Sequence, residues 1–235
     1  MKENISLSIV VPVFNEENTI LKILNKLNIL RETCKIEIIL VNDGSTDKSK
    51  KIIDENSKLY SQCIHLDKNS GKGRAVIEGL KLCNMNYIII QDADLEYDPN
   101  DIKIFLNELE KFSFDLIMGS RFIGTKRSVL NFWHMLGNKF ITFLFNFLNN
   151  TTFTDIYCCY CLFKKDLINI KDLKCYGWGQ QAEILTFAIN NKTKLYEIAV
   201  NYNGRNYNEG KKIRYHHVFG VIYWMFITKL KKAFK

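Results

Sequence analysis

The sequence predicts an α/β fold: a doubly wound, mostly parallel sheet with helices on both faces. Two observations carry this. Apolar runs and helical repeats alternate five times within the first 120 residues, an order that implies parallel strands joined by right-handed crossovers. The chain of 235 residues is 47% hydrophobic and 25% charged, enough for one sizeable core with an appendage.

The elements follow in order. Residues 6–13 form a β-branched run, and a helix-start cluster stands at 15–18. Ile20, Leu21, Ile23, Leu24 and Leu27 recur at helical spacing. A second buried strand spans 36–41, a helix about 48–60, a short strand 63–66, and a helix about 72–83 with Ala75, Val76, Leu80 and Cys83 on one side. The strand at 87–91 precedes a helix over 99–111 that opens on Asp98-Pro99, and a strand at 116–120 closes the series. A parallel sheet sets the polar clusters 14–16, 42–45, 92–96 and 120–121 on one rim, where open α/β sheets bind ligands.

The most informative cluster is the acidic one. The apolar strand at 87–91 ends abruptly in Asp92, Asp94 and Glu96. Three carboxylates at alternate positions beside a buried strand are costly without a positive guest. Mg²⁺ or Mn²⁺ fits, being a hard cation that takes oxygen ligands and leaves positions for substrate phosphates.

Beyond residue 125 the character changes. An aromatic-rich helix over 129–148 carries apolar side chains almost all round, more than one core face needs. A strand over 154–163, a helix about 179–190, a strand over 194–202 and a polar loop over 203–214 follow; 215–235 reads as an amphipathic helix with a basic tip. The expected organisation is one domain over 1–214, with a nucleotide-sugar half at 1–125 and an acceptor half at 126–214, followed by the terminal helix at 215–235.

Net charge is +8, unevenly spread: 16 Lys/Arg against 19 Asp/Glu in 1–125, and 17 against 6 in 126–235. The basic half suggests an anionic partner. Together with surplus apolar surface on the two helices, it points to a membrane interface. No apolar run approaches the roughly 20 residues of a spanning helix. The polar start, Met1-Lys-Glu-Asn, leads straight into a strand, so no secretory leader is expected. The seven cysteines, with no histidines at zinc spacing, read as reduced core residues. Gly71-Lys-Gly73 lacks the spacing of a P-loop, and no nucleic-acid-binding signature appears.

Seven segments then stand in a recognisable order: Val11-Pro-Val-Phe-Asn-Glu16, Val41-Asn-Asp-Gly-Ser-Thr-Asp47, Asn69-Ser-Gly-Lys-Gly73, Gln91-Asp-Ala-Asp-Leu-Glu96, Gly119-Ser-Arg-Phe122, Thr154-Asp155 with Cys159-Tyr160, and Arg205 with Glu209-Gly-Lys-Lys212. Over nearly its whole length the chain resembles family-2 glycosyltransferases of the GT-A fold, in particular the dolichyl- or polyprenyl-phosphate mannosyltransferase branch.

That resemblance implies an inverting, metal-dependent hexosyltransferase. It would act on a polyprenyl or dolichyl phosphate at the cytoplasmic membrane face, with GDP-mannose or a UDP-glucose-type sugar as donor. Pro12, Phe14 and Glu16, with Val41 and Asp43, would hold base and ribose. Asp92 would sit near the ribose, with Ala93 beside it. Asp94 and Glu96 would bind the metal. Arg121 would face sugar and acceptor phosphate, and Arg205 and Lys211 would clamp the phosphates from a lid. A homodimer or a membrane-anchoring subunit remains open as partner.

The sequence departs from the branch at Cys161, where a lysine is usual; at Gln181, often acidic; and after Ile213, at 215–218. All three fall beyond residue 125, two in the acceptor half and the third at the start of the terminal helix. Transfer to a glycan or cell-surface hydroxyl is therefore the alternative, with Asp155 or Glu183 as base. A silent nucleotide-sugar-binding subunit is the other; intact Asp94, Glu96, Arg205 and Lys211 speak against it.

Overall fold

The structure, a computed structural model, describes residues 5–124, 131–205 and 217–234. Its centre is a seven-stranded sheet of order β3-β2-β1-β4-β6-β5-β7. The strands are β1 (Leu7–Val13), β2 (Ile36–Asn42), β3 (Gln62–His65), β4 (Tyr87–Ile90), β5 (Leu116–Ser120), β6 (Cys161–Lys164) and β7 (Leu195–Ala199). All pairings are parallel except those of β6, which runs antiparallel between β4 and β5.

The expected strand over 154–163 is thus only its last part. The preceding residues are drawn off by their own polar groups: Asp155 turns to Arg121, and the Tyr157 hydroxyl donates to the Trp178 carbonyl at 2.9 Å. Their backbone cannot serve a ladder and a loop at once.

Central strands covered on both faces need continuous apolar sequence. β2 and β4 are buried at every position, and β1 at every position but Pro12. The helix α1 (Ile20–Arg31) turns Ile20, Ile23, Leu24, Leu27 and Leu30 inward, each fully buried. Full burial of such a side chain contributes roughly 1.5–3 kcal/mol. The expected helix over 48–60 divides into α2 (Ser49–Glu55) and a 3₁₀ turn at Ser57–Leu59. Between them Asn56 leaves helical geometry while its side chain caps the Ile52 carbonyl. α3 (Lys72–Leu80) ends three residues earlier than expected, and a 3₁₀ turn at Pro99–Asp101 leads into α4 (Ile102–Lys111).

The second half adds α5 (Phe132–Asn149), α6 (Gln180–Ala188) and α7 (His217–Ala233). α7 packs on α6 and α5. Trp224 lies so close to Gly179 that a Cβ there would stand 2.8 Å from the tryptophan Cβ. Two lysines of the basic tip are tied to these neighbours: Lys229 donates to Asn149 Oδ1 at 3.2 Å, and Lys232 to carbonyls of Thr186 and Ile189 at the α6 C-terminus. α5 buries Ile141, Thr142 and Phe145 but exposes Phe140, Phe143 and Phe147 by more than half. Among the described residues no helix is long and apolar enough to cross a membrane. All seven cysteines are free thiols, five of them buried.

Candidate active site

The carboxyl ends of β1, β2 and β4 open into one cavity of about 580 Å³. Its lining includes Pro12, Phe14, Glu16, Asp43, Asp92, Ala93, Asp94, Glu96, Arg121 and Arg205, so the structure brings together most of the site residues expected from sequence. Val41 is the exception: it is fully buried in β2, with its Cγ2 against Gly79, and does not line the cavity. Lys211, Glu209 and Lys212 lie outside the described residues.

The β1 loop and the β2 loop lock together. Backbone N–H groups of Asn15, Glu16 and Glu17 donate to Ser45, Ser49 and Asp47 at 3.0, 2.8 and 3.1 Å. Asp43 accepts from the N–H groups of Ser70 and Gly71 at 2.8 and 2.9 Å, which fixes the start of α3. The glycines there are sterically required. Gly71 has φ +96° and Gly73 leaves no room for a Cβ, because both press on backbone at 175–177. That approach brings Trp178 to the cavity wall, with its ring centroid 5.9 Å from Lys72 Nζ.

In the acidic loop Leu95 takes φ +62°, an uncommon conformation for a leucine. Glu96 N–H donates to Asp94 Oδ1 at 3.0 Å, so the loop is a tight turn rather than a strand extension. Its carboxylates are then divided between two cations. Lys72 Nζ lies 2.5 Å from Asp92 Oδ1. Burial opposes the Lys72 charge most strongly, but Asp92, with help from Cys159 and Asp94, outweighs it, and the lysine pKa is raised. Arg205 takes the rest. Its Nη2 is 2.9 Å from Asp94 Oδ2, its Nη1 3.2 Å from Glu16 Oε2, and its backbone N–H donates to Glu96 Oε1 at 2.9 Å. The Tyr202 hydroxyl donates to Glu96 Oε2 at 3.0 Å.

Even so, negative charge is in excess: burial, then Asp92 and Glu96, push Asp94 up to about 7, against the pull of Arg205. Carboxylates gathered round one guanidinium, and still under-compensated, fit a hard divalent cation. Among the described residues no three His, Cys, Asp or Glu groups are already set to hold a metal ion. The chain's part would be Asp94 and Glu96, leaving other positions to phosphate and water.

Arg121 sits deeper than expected. Its Nε and Nη2 donate to Asp155 at 2.6 and 2.8 Å, and its guanidinium lies 5.1 Å from the Tyr202 ring centroid. The pair is nearly inaccessible, at 10% and 0% side-chain exposure. Neither carboxylate considered as a base is placed for that task. Asp155 is spent on Arg121 and the Tyr157 N–H, and Glu183 accepts from the N–H groups of Lys174 and Cys175. Both tether loops.

Sequence reasoning missed Lys72, although its motif was in hand, because a lysine between glycines carries no sign of its partner. It also missed Tyr202, His134, Trp133, Trp178 and Gln180, all on the cavity wall. Trp133 and His134 lie on α5 and Gln180 opens α6, and helical spacing does not disclose the side that faces a cavity; Trp178 and Tyr202 lie in connecting segments, where spacing gives no direction at all.

The glycosyl transferase family 2 profile matches residues 8–170, and the chain belongs to that family. It is 32% identical over 184 residues to an uncharacterized protein of Methanocaldococcus jannaschii, covering 74% of this chain and 77% of that one. It is 31% identical to the dolichyl-phosphate beta-glucosyltransferase of Saccharomyces cerevisiae, covering 86% and 68%. A dodecaprenyl-phosphate galacturonate synthase of Rhizobium johnstonii matches at 32% over 51% of this chain and 37% of its own length. Glucosyl-3-phosphoglycerate synthase from Mycobacterium tuberculosis, solved with Mn²⁺, UDP-glucose and phosphoglyceric acid, superposes with TM-score 0.72 at 14% identity. That likeness covers 98% of this chain and 80% of that one and establishes the GT-A fold. The protein is therefore a family-2 glycosyltransferase.

Proposed function

We propose that this enzyme transfers a hexose, mannose or glucose, from a nucleotide sugar to a polyprenyl or dolichyl phosphate, working peripherally at the cytoplasmic face of a membrane. The observation that carries this is the asymmetry of the cavity. Among its described lining residues the carboxylates, Glu16, Asp43, Asp92, Asp94 and Glu96, all belong to the ends of β1, β2 and β4. The wall from α5 to α7 is instead Trp133, Gly137, Ile141, Trp178 and Val218, with His134, Asn138, Gln180 and Gln181 as polar groups. An acidic, cation-binding end suits a nucleoside diphosphate; an apolar end suits a hydrocarbon-bearing acceptor. Relatives named for transfer to prenyl phosphates support the same reading.

In this reading the domain spans 1–214 and the 215–235 helix lies with α5 against lipid. The exposed Phe143, Phe147 and Phe219 are suited to insertion. Pro12, Phe14 and Asp43 bound the base and ribose end. Val41 supports them from within. Asp94 and Glu96 hold Mg²⁺ or Mn²⁺, which when bound offsets the charge that builds on the departing diphosphate. Arg205, with Lys211, provides the phosphate contacts, where a guanidinium binds bidentately. The acceptor phosphate oxygen attacks the anomeric carbon as the bond to the nucleoside diphosphate breaks. That nucleophile is already an anion at neutral pH and needs no general base, in keeping with the engaged state of Asp155 and Glu183. Transfer to a neutral hydroxyl would need one, and His134 is the imidazole on this wall that keeps the alternative open.

The test offers the enzyme vesicles containing either a polyprenyl phosphate or the matching polyprenol, with labelled GDP-mannose or UDP-glucose and Mn²⁺. Label is expected in lipid only with the phosphate, and the protein is expected to float with the vesicles. Transfer to polyprenol at a comparable rate, or to neither lipid, would overturn the acceptor assignment.

A further inference from the structure

Arg205 stands where the expected roles place something else. A phosphate clamp belongs on the diphosphate side of a metal ion. Here the guanidinium lies among the carboxylates themselves. Nη2 reaches both Asp94 Oδ2, at 2.9 Å, and Glu16 Oε1, at 3.3 Å; Nη1 reaches Glu16 Oε2 at 3.2 Å. Nε is 3.6 Å from Glu96 Oε1, too far to bond, and is buried without a hydrogen-bond partner among the described residues. One cation thus bridges β1, through Glu16, to the acidic loop after β4.

A guanidinium and a divalent ion compete for these oxygens. Mg²⁺ needs a carboxylate oxygen at about 2.1 Å with its lone pairs directed at the metal. Asp94 Oδ2 already accepts from Nη2 at 2.9 Å, and the positive guanidinium fills the space beside that oxygen and repels a second cation. The arrangement also leaves a reason to leave: the fork is complete toward Glu16, yet Nε is unsatisfied, an expensive state for a buried charged group. A nucleoside diphosphate offers a better partner, since phosphate oxygens accept both guanidinium edges in parallel.

We propose that Arg205 is the resident counter-ion of the metal site. Parked on Glu16, Asp94 and Glu96, it keeps a divalent cation out until a nucleoside diphosphate draws it onto the phosphates. The proposal rests on the donor-site reading above and adds to it an order: nucleotide and metal enter together, and neither site is filled stably alone. Glu16 is then a parking residue for Arg205 as well as a wall of the donor pocket. Because binding free energies are linked reciprocally, the metal strengthens nucleotide binding by the same factor as the nucleotide strengthens metal binding.

Mn²⁺ binding, read from the electron-paramagnetic signal of the free ion, tests this without any turnover. Wild type, Arg205→Ala and Arg205→Lys are titrated alone and with UDP or GDP, after melting curves confirm that each is folded. Arg205→Ala is expected to bind Mn²⁺ at least tenfold more tightly than wild type in the absence of nucleotide. Nucleotide should tighten Mn²⁺ binding at least tenfold in wild type and much less in Arg205→Ala. Arg205→Lys keeps the charge but cannot span Glu16 and Asp94 together, so it should fall between the two. If nucleotide-free Arg205→Ala binds Mn²⁺ no more tightly than wild type, the parking role is wrong and Arg205 is a phosphate contact alone. If Arg205→Lys equals wild type, net charge explains the effect and the bridge does not. If no variant binds Mn²⁺ with or without nucleotide, the donor-site reading itself fails, and this inference with it.

Discussion

The two halves of this enzyme solve opposite problems. In residues 5–124 the rim carries charge that the sheet cannot bury unaided, and every loop is spent on compensation. Asp43 takes two backbone N–H groups, Asp92 takes Lys72, and Asp94 and Glu96 take Arg205 from the far half. In 131–205 and 217–234 the surplus is apolar. Phe143 and Phe147 stand 67% and 77% exposed on α5, and Phe219 75% on α7, far beyond the scattered apolar exposure of an ordinary surface. The contrast fits the proposed function, in which donor and acceptor chemistry are kept apart on one rim: charge is concentrated where a diphosphate would leave, and hydrocarbon is presented where a lipid would arrive.

The sharpest way to break that comparison is Asp94→Asn. The carboxylate is on the rim, so its loss should leave the fold intact while removing the proposed metal ligand and the main anchor of Arg205 Nη2. Turnover is expected to fall by two orders of magnitude or more, the scale on which a single electrostatic contact in a transition state acts, ~3 kcal/mol. The melting temperature should hold, since Asp94→Asn also relieves crowding with Asp92 and Glu96. An Asp94→Asn enzyme with near-normal turnover would mean that charge on this loop serves structure and not the reaction.

An effect on stability, and not first on turnover, is expected from Asp155→Asn in the other half. Removing one partner of a buried ion pair strands the other charge and costs about 3–5 kcal/mol. Denaturant midpoints should fall accordingly, whereas replacing both Arg121 and Asp155 by apolar residues of similar size should recover much of the loss. Were Asp155 a general base instead, Asp155→Asn would abolish transfer while leaving the denaturation curve where it was. The pair of variants thus separates a residue that holds the wall from one that performs chemistry.

The same contrast explains what was legible in the sequence. Charged residues after apolar strands announce themselves, because few arrangements make them affordable; Glu16, Asp94 and Glu96 were placed on the rim that way, Arg205 only through the family resemblance, and all four line the cavity. The strand alternation gave the sheet, with β6 as the misjudged element. Nothing in the spacing of Thr154 to Tyr160 told that Asp155 would leave the ladder for Arg121, because that partner is 34 residues away in the chain. Apolar helices were legible as helices but not by face. An aromatic side chain at helical spacing is equally consistent with core, cavity wall or exposed surface, and α5 uses all three: Phe145 is in the core, Trp133 on the wall and Phe147 outside.

The finest difference between the halves lies in how completely polar groups are paired. On the donor side, Asp43 and Asp92 have partners within 3 Å. In the other half Gln180, 5% exposed at the start of α6, keeps its Oε1 buried without a hydrogen-bond partner among the described residues, while the neighbouring Gln181 donates to the Cys158 carbonyl at 3.3 Å. An unpaired buried amide oxygen costs about 1–3 kcal/mol. Gln180→Leu should therefore raise the melting temperature of the ligand-free enzyme by a few degrees, since about 1 kcal/mol moves a chain of this size by roughly 2–4 °C. If a substrate group satisfies that oxygen, the gain should shrink or reverse when the nucleotide sugar is present, because wild type alone then recovers the bond. A melting point lowered in both states would show that the amide is already paired and that this wall is matched as Asp43 and Asp92 are.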